Sequence, residues 1–261
     1  MTYSVIVRKI LRRLDKFLYR PIEVFVFHAV SEEFDENTNK KEDWSSTSDF
    51  KDTISVLNNQ YTFISLTDAY HRIKYDLFRR KNYAVLTCDD GYRSILDILP
   101  FLEEKKIPIT LFINPKYLDG VNKREGYANS PSYIVYDQLW SIDSKLITIG
   151  MHGYEHIDAT KQSIKEFYDS TARCIAVLSN HPRYIPYYAY TWGRYTDSTQ
   201  NILKKLKIIP VFTDGESNYK FHSGIGRRPI DSYYLRKKGM TQTCNCVSSS
   251  RCAKDWVYNS C

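Results

Sequence analysis

The sequence predicts an α/β fold, a distorted or incomplete (β/α) barrel of about seven parallel strands. Three observations carry that expectation. Short β-branched or aromatic runs alternate with amphipathic helical stretches along most of the chain. Residues suited to chemistry recur at the carboxyl ends of those runs. The 261 residues, 43% hydrophobic and 15% aromatic, suffice for one core of this kind and leave little for a second full domain.

Taken in order, strands are expected near 22–28, 61–66, 83–88, 109–113, 146–150, 184–190 and 207–212, each bounded by polar or turn residues. Helices are expected between them near 48–59, 67–79, 94–106, 160–179 and 197–206. Thr47-Ser48-Asp49 and Thr196-Asp197 supply capping side chains for the first and last of these, and Pro108 breaks the chain before the fourth strand. Strands that alternate with helices at this spacing pair in parallel. The segment 114–137 is long for a connection and follows a strand end, so it is expected to roof a substrate cleft. No internal repeat or low-complexity tract is present.

His28, Asp89, Asp90, His152, His156, Trp192 and Asp214 all fall at or just past predicted carboxyl ends of strands, the edge where such folds gather their chemistry. Residues 84–91, AVLTCDDG, run from an apolar strand into two carboxylates. Sixty residues on, LITIG leads into His152-Gly153-Tyr154-Glu155-His156. Alone, Asp-Asp-Gly is usually a turn, and two histidines four apart are usually a solvated pair. Paired at two strand ends, they point to a metal site for hydrolysis. Asp90 offers a hard oxygen and His152 and His156 borderline nitrogens, a set that suits zinc first, with cobalt, nickel or Fe(II) as alternatives, and leaves positions open for water. Asp89 is then free to accept a proton.

These motifs resemble the polysaccharide deacetylases of carbohydrate esterase family 4, the nodulation-deacetylase-homology group, in its short-chain branch. Thr87-Cys88-Asp89-Asp90-Gly91 follows that family's T-F-D-D-G with Cys for Phe, and His152 to His156 follows its H-x-x-x-H with Gly153 after the first histidine. Ala189-Tyr190-Thr191-Trp192-Gly193 is similar to A-Y-P-Y-G, with Thr for Pro and Trp for Tyr. The resemblance spans about residues 22–235. It implies Asp89 as catalytic base, Asp90, His152 and His156 as ligands of one divalent ion, and the Trp192 N–H as an oxyanion donor. It further implies that Arg227, or its neighbour Arg228, orients Asp89. Phe27-His28 looks like the tyrosine-histidine strand end of this branch. His28, Tyr190 and Trp192 are the candidates for substrate contact, because flat amphipathic rings stack on sugar faces.

The expected activity is removal of N-acetyl groups from an amino sugar in a glycan, glycolipid or sugar precursor. An amidase acting on a non-sugar amide and a non-catalytic carbohydrate-binding homologue are the alternatives. A separate late histidine acid, found in part of the family, has no good match: His222 sits in a polar loop and reads as solvated. Protonation of the leaving amine is left to water, to Asp89 after it has taken its proton, or to His28.

The chain is expected to divide into a basic amphipathic helix over 1–20, the deacetylase domain over 21–240, and a Cys-rich tail over 241–261 that is flexible and reduced. The first segment has no apolar run of membrane-span length, which predicts a cytoplasmic protein with optional peripheral contact to the inner face of the membrane. The net charge of +7 comes without a basic stripe or a nucleic-acid module, so no nucleic-acid partner is expected. Four of the six cysteines lie at 244, 246, 252 and 261, a spacing that fits no common zinc pattern. Cys88, inside the first motif, reads as a buried strand residue rather than a nucleophile.

Overall fold

The computed structural model describes residues 20–32, 43–76, 79, 81–122 and 132–231. Apart from Arg20, the expected N-terminal helix lies outside these residues, as do the Cys-rich tail and residues 123–131 of the long connection. Among the described residues no helix is long and apolar enough to cross a membrane.

The strands are β1 (Ile22–Phe27), β2 (Ala29–Ser31), β3 (Trp44–Ser46), β4 (Thr62–Phe63), β5 (Tyr83–Cys88), β6 (Ile109–Ile113), β7 (Ile147–Met151), β8 (Tyr184–Ala189), β9 (Ile209–Phe212), β10 (Ile225–Gly226) and β11 (Arg228–Pro229). The helices are α1 (Thr47–Gln60), α2 (Leu66–Tyr75), α3 (Ile95–Glu104), α4 (Tyr136–Ser141), α5 (Ile164–Leu178) and α6 (Asp197–Lys205). The main sheet runs β10-β9-β8-β7-β6-β5-β1-β11, every pair parallel. Its two end strands are consecutive in sequence and separated only by Arg227. The segment 225–229 therefore meets β9 on one side and β1 on the other, and closes a barrel of seven parallel staves with one irregular seam.

Two expectations are corrected by this topology. The strand expected at 61–66 shrinks to Thr62–Phe63, paired only to the start of β5, because Ser65 caps α2 at that point by accepting from Asp68 N–H at 3.1 Å. The seventh stave is the 225–229 segment. Its arginines and proline carry no apolar alternation, so its pairing is invisible to periodicity. Three other helix starts follow the same capping chemistry, with Ser163 and Glu166 at α5, Thr196 at α6, and Ser46 at α1, one residue before the Thr47-Ser48-Asp49 run expected to cap it.

Strand parity sorts the side chains. Val24, Val85, Phe112, Tyr187, Ala189, Val211 and Ile225 form one buried cluster inside the barrel, plugged below by Leu66, Ala69 and Ile73 of α2. The opposite faces of the same strands pack under α1, α3, α5 and α6. On β7, Gly150 points inward, and a Cβ there would meet the Phe112 ring at 2.6 Å. Phe112 fills the barrel beside Gly150, so glycine at 150 makes room for the ring over which the Arg227 guanidinium lies, 5.2 Å from its centroid. Gly150→Ala is expected to cost about 1–3 kcal/mol through overpacking. Chemical denaturation of the variant against the wild type checks this, and an unchanged midpoint contradicts the packing described.

Candidate active site

The ladder extends past the strand ends and carries the reactive residues with it. Asp89 N–H donates to Phe27 O at 3.1 Å, His152 N–H to Ile113 O at 3.0 Å, and Ile230 N–H to Val26 O at 2.9 Å. Parity sends Asp89, two residues beyond Thr87, and Arg227, two beyond Ile225, into the barrel mouth. There Arg227 makes a bidentate pair with Asp89, Nη1 to Oδ1 at 2.6 Å and Nη2 to Oδ2 at 2.8 Å. The same guanidinium donates to the Thr87 and Thr213 hydroxyls, each at 3.1 Å. Burial alone would raise the Asp89 pKa; Arg227 and His152 more than offset it and hold the carboxyl below its ordinary range. Asp89 is anionic at neutral pH. The choice between the two arginines is thereby resolved, since Arg228 points out of the barrel to Glu23, Nε to Oε2 at 3.1 Å.

Asp90, His152 and His156 form a second cluster beside this pair. One donor atom from each lies within 4.8 Å of the others, and all three side chains are buried. Both histidines turn Nε2 to Asp90 Oδ1, His156 at 3.0 Å and His152 at 3.3 Å. His152 Nδ1 lies 2.9 Å from Ala189 O, which requires a proton on Nδ1 and leaves the Nε2 lone pair aimed at the cluster. Two imidazoles directed at a carboxylate, the His152 ring oriented from behind by Ala189 O, fit a divalent ion with positions to spare.

Reaching that geometry takes unusual backbone. Asp90, His156 and Trp192 are left-handed, with φ of 70, 57 and 53, and Gly91, Gly153 and Gly193 beside or near them are left-handed too. Each non-glycine residue held there costs on the order of 1 kcal/mol. Bracing from outside offsets the cost. Asn114 donates from Nδ2 to His152 O at 2.5 Å and to Gly153 O at 2.9 Å, and the Tyr117 hydroxyl donates to Glu155 O at 3.0 Å. The Glu155 carboxylate takes Lys116 at 2.6 Å and Arg173 at 3.1 Å, which lowers its pKa, the Lys116 bond contributing most. The long connection returns over the first motif through stacked Tyr117, Tyr133 and Tyr92, with centroids at 4.7 and 5.5 Å. Ile134 N–H closes on Gly91 O at 2.9 Å.

His28, at the end of β1, is held twice by the buried Asp231: backbone N–H to Oδ1 and Nδ1 to Oδ2, both at 3.0 Å. Burial opposes the charged imidazole, but Asp231 outweighs it and the His28 pKa is pushed up to about 10. Trp192 is 56% exposed, its ring edge-on to His156 at 4.6 Å. Tyr190, expected to touch substrate, is instead 1% exposed and packs with Phe167, Tyr188 and Phe212 under α5. Its parity on β8 is the outward one, so the barrel wall separates it from the mouth. Asp214 turns back to cap its own loop, accepting from Glu216 N–H at 3.0 Å, and stays out of the cluster. His222 is exposed, as its loop suggested. Burial pushes the Cys88 thiol far up, so it has no nucleophilic role.

Asp231 and Asn114 escaped the sequence reading. Asp231 shares the parity of Arg227 two steps on twice over, which is a usable signal once 225–229 is known to be a strand. Asn114 ends β6 as Asp89 ends β5, yet an isolated strand-end asparagine carries no motif.

Residues 78–211, just over half of the chain, match the family described as polysaccharide deacetylase. No curated protein matches the chain by sequence. Among solved structures, IcaB from Ammonifex degensii superposes with a TM-score of 0.70 at 21% identity, over 84% of this chain and 95% of that one. The Streptococcus pyogenes deacetylase PplD in complex with acetate gives 0.66 at 18%, over 85% and 99%. A de-N-acetylase from Aggregatibacter actinomycetemcomitans gives 0.63 at 18%, over 80% and 95%. At these identities the structural likeness carries the fold.

Replacing one of three ligands leaves too few donors to hold an ion. The wild type is expected to take up about one divalent ion per chain and His152→Ala and His156→Ala each to lose it, read by elemental analysis after gel filtration. Full occupancy in both variants would end the assignment.

Proposed function

The chain belongs to the polysaccharide deacetylase family, and from that premise we propose that it removes N-acetyl groups from an amino sugar of a glycan with the help of one divalent ion. Family membership makes it a carbohydrate N-deacetylase; the roles of its residues are the proposal. The observation that carries the reading is the convergence of the Asp90, His152 and His156 donors within 4.8 Å, next to an Asp89 held by Arg227. An ion in that cluster would supply Lewis acidity and bring the pKa of water from about 15.7 toward about 7, with zinc our first choice for two imidazoles and a carboxylate.

The protein's own groups then divide the work. Asp89 accepts the proton of the attacking water, and Arg227 fixes both its oxygens so that the remaining lone pairs face the mouth. The Trp192 N–H, at a left-handed turn, donates to the oxygen that gains charge on the acetamide carbon. The C–N bond breaks, and His28 delivers its Nε2 proton to the departing amine, its Nδ1 being engaged by Asp231. Acetate and a free amino sugar leave, and acetate is the ligand named for the Streptococcus pyogenes neighbour. The exposed Trp192 ring offers a stacking face beside the reaction centre. The complete Asp89–Arg227 and His28–Asp231 pairs support the enzyme over the binding-only alternative, and no observation favours a non-sugar amide.

Acetate release measured over a panel of N-acetylated amino sugars tests the reaction; no release from any member defeats it. In the same assay Asp89→Asn should lose roughly 10²–10⁴-fold activity while keeping its metal. Asp90→Asn should lose activity that excess metal partly restores. Reversed responses would mean the two roles are exchanged.

The pH profile reports on His28. Its acid form is the donor, so kcat falls as pH rises through the imidazolium pKa, which Asp231 holds up. Asp231→Asn removes the supporting charge and should move the alkaline limb to lower pH by one unit or more. An unmoved limb rejects His28 as the acid.

A further inference from the structure

The barrel seam has a splice that the reaction does not account for. β10 pairs with β9 through Gly226↔Phe212, and β11 pairs with β1 through Phe25↔Arg228, so the amino end of β1 has no strand partner from this segment. Asn218 takes that place. Its backbone exchanges two hydrogen bonds with Ile22, at 3.0 and 3.2 Å, as an isolated antiparallel bridge. Its side chain then reaches across the seam. Oδ1 accepts from Gly226 N–H at 2.8 Å, while Nδ2 donates to Gly226 O at 2.8 Å and to Ile22 O at 3.1 Å. One buried amide thus satisfies both polar groups of the residue preceding Arg227 and ties them to β1.

We propose that Asn218 is a positioning residue for deacetylation: its amide sets the Gly226–Arg227 peptide, and through it the angle at which Arg227 presents its guanidinium to Asp89. The Arg227 side chain enters the mouth directly from the peptide that Asn218 holds, and its carbonyl accepts from Gly215 N–H at 2.9 Å. A rotation of that peptide swings the guanidinium about the seam, and the bidentate geometry with contacts of 2.6 and 2.8 Å tolerates little swing. Three of the four hydrogen bonds open to the Asn218 amide are made within the protein and the residue is buried in the seam, so its amide is committed to the backbone rather than to substrate. Ser217, next to it, faces the other way and joins Glu23 at 2.7 Å and Arg228 at 2.6 Å outside the barrel. That neighbour supplies a control on the same seam.

The kinetic part of the test rests on the deacetylase reading. Asn218→Ala should lower kcat for acetate release by roughly 10-fold or more, with KM within about 2-fold and metal content equal to wild type. Ser217→Ala should leave kcat unchanged. In an Arg227→Lys background, where the bidentate fork is already gone, Asn218→Ala should add less than about a 2-fold loss. The same multiplicative loss in both backgrounds, or a lower Tm with kcat intact, overturns the proposal. Should Asn218→Ala fail to fold, Asn218→Ser, which keeps an acceptor for Gly226 N–H, runs through the same cycle. If the wild type releases no acetate, the reaction reading falls, and the seam is judged by crystallography of the Asn218 variant. An Asp89–Arg227 pair still at its wild-type contacts then overturns the proposal, and a separated pair supports it.

Discussion

The ion pair between Asp89 and Arg227 is the constraint around which the molecule is arranged. Both side chains are almost wholly removed from solvent. A carboxylate or a guanidinium alone at that depth would cost several kcal/mol, and breaking such a pair by removing one partner typically costs about 3–5 kcal/mol. The two residues lie 138 positions apart, on β5 and on the closing segment. Desolvation can be met only if the barrel closes, and closure is worthwhile only if the charges meet. The buried pair thereby favours one register for a segment of two short two-residue strands. Asp231 lies two residues beyond this segment, so its hold on His28 depends on the same closure that brings Arg227 to Asp89.

Strain is the counterpart of this arrangement. Three of the site residues, Asp90, His156 and Trp192, are left-handed, a region that side chains with a Cβ avoid. Each lies beyond the end of a strand, Asp90 after β5, His156 in the loop after β7 and Trp192 in the turn after β8, where the chain turns away from the wall. The deviation persists because the bonds from Asn114, Tyr117, Thr191 and the Glu155 ion pairs over-determine the loops. Preorganisation of this kind puts the cost into folding, so that binding and reaction need little rearrangement.

The alternation of strands and helices, and the placing of acids and histidines at strand ends, were legible because both follow from local rules: period-two runs, caps, and parity. The convergence of Asp89, Asp90, His152 and His156 at one mouth could be anticipated for that reason. What sequence could not show was decided by long-range pairing. The closing segment 225–229 has an arginine on each face, and only the pairing with β1 and β9 tells which one enters the barrel. Tyr190 was misassigned by the reverse error. Its ring, in an aromatic stretch, suggested a sugar platform, yet successive residues along a strand face opposite sides, and Tyr190 shares the outward face with Tyr188. Of that stretch, the ring that reaches solvent is Trp192, past the strand end where parity no longer holds.

The altered third motif gains a physical explanation from the same geometry. Where the family pattern has proline, this chain has Thr191, and a proline would have set the turn through its fixed φ. Thr191 is buried, and its hydroxyl donates to Ile157 O at 2.7 Å, just past His156. Arg194, at the far side of the turn, reaches Asp158 in the same loop at 3.1 Å. Two side-chain contacts thus tie the 191–194 turn to the loop that follows His156, replacing local stiffness with a cross-link between the two. The role resting on position 192 is a backbone N–H, which any residue except proline supplies, so the change from tyrosine to tryptophan leaves that donor in place. What the change alters is the exposed ring beside His156, the part of the turn that faces substrate. The departures from the family pattern therefore fall where the backbone can be held by other means, or where recognition rather than bond-breaking is at stake.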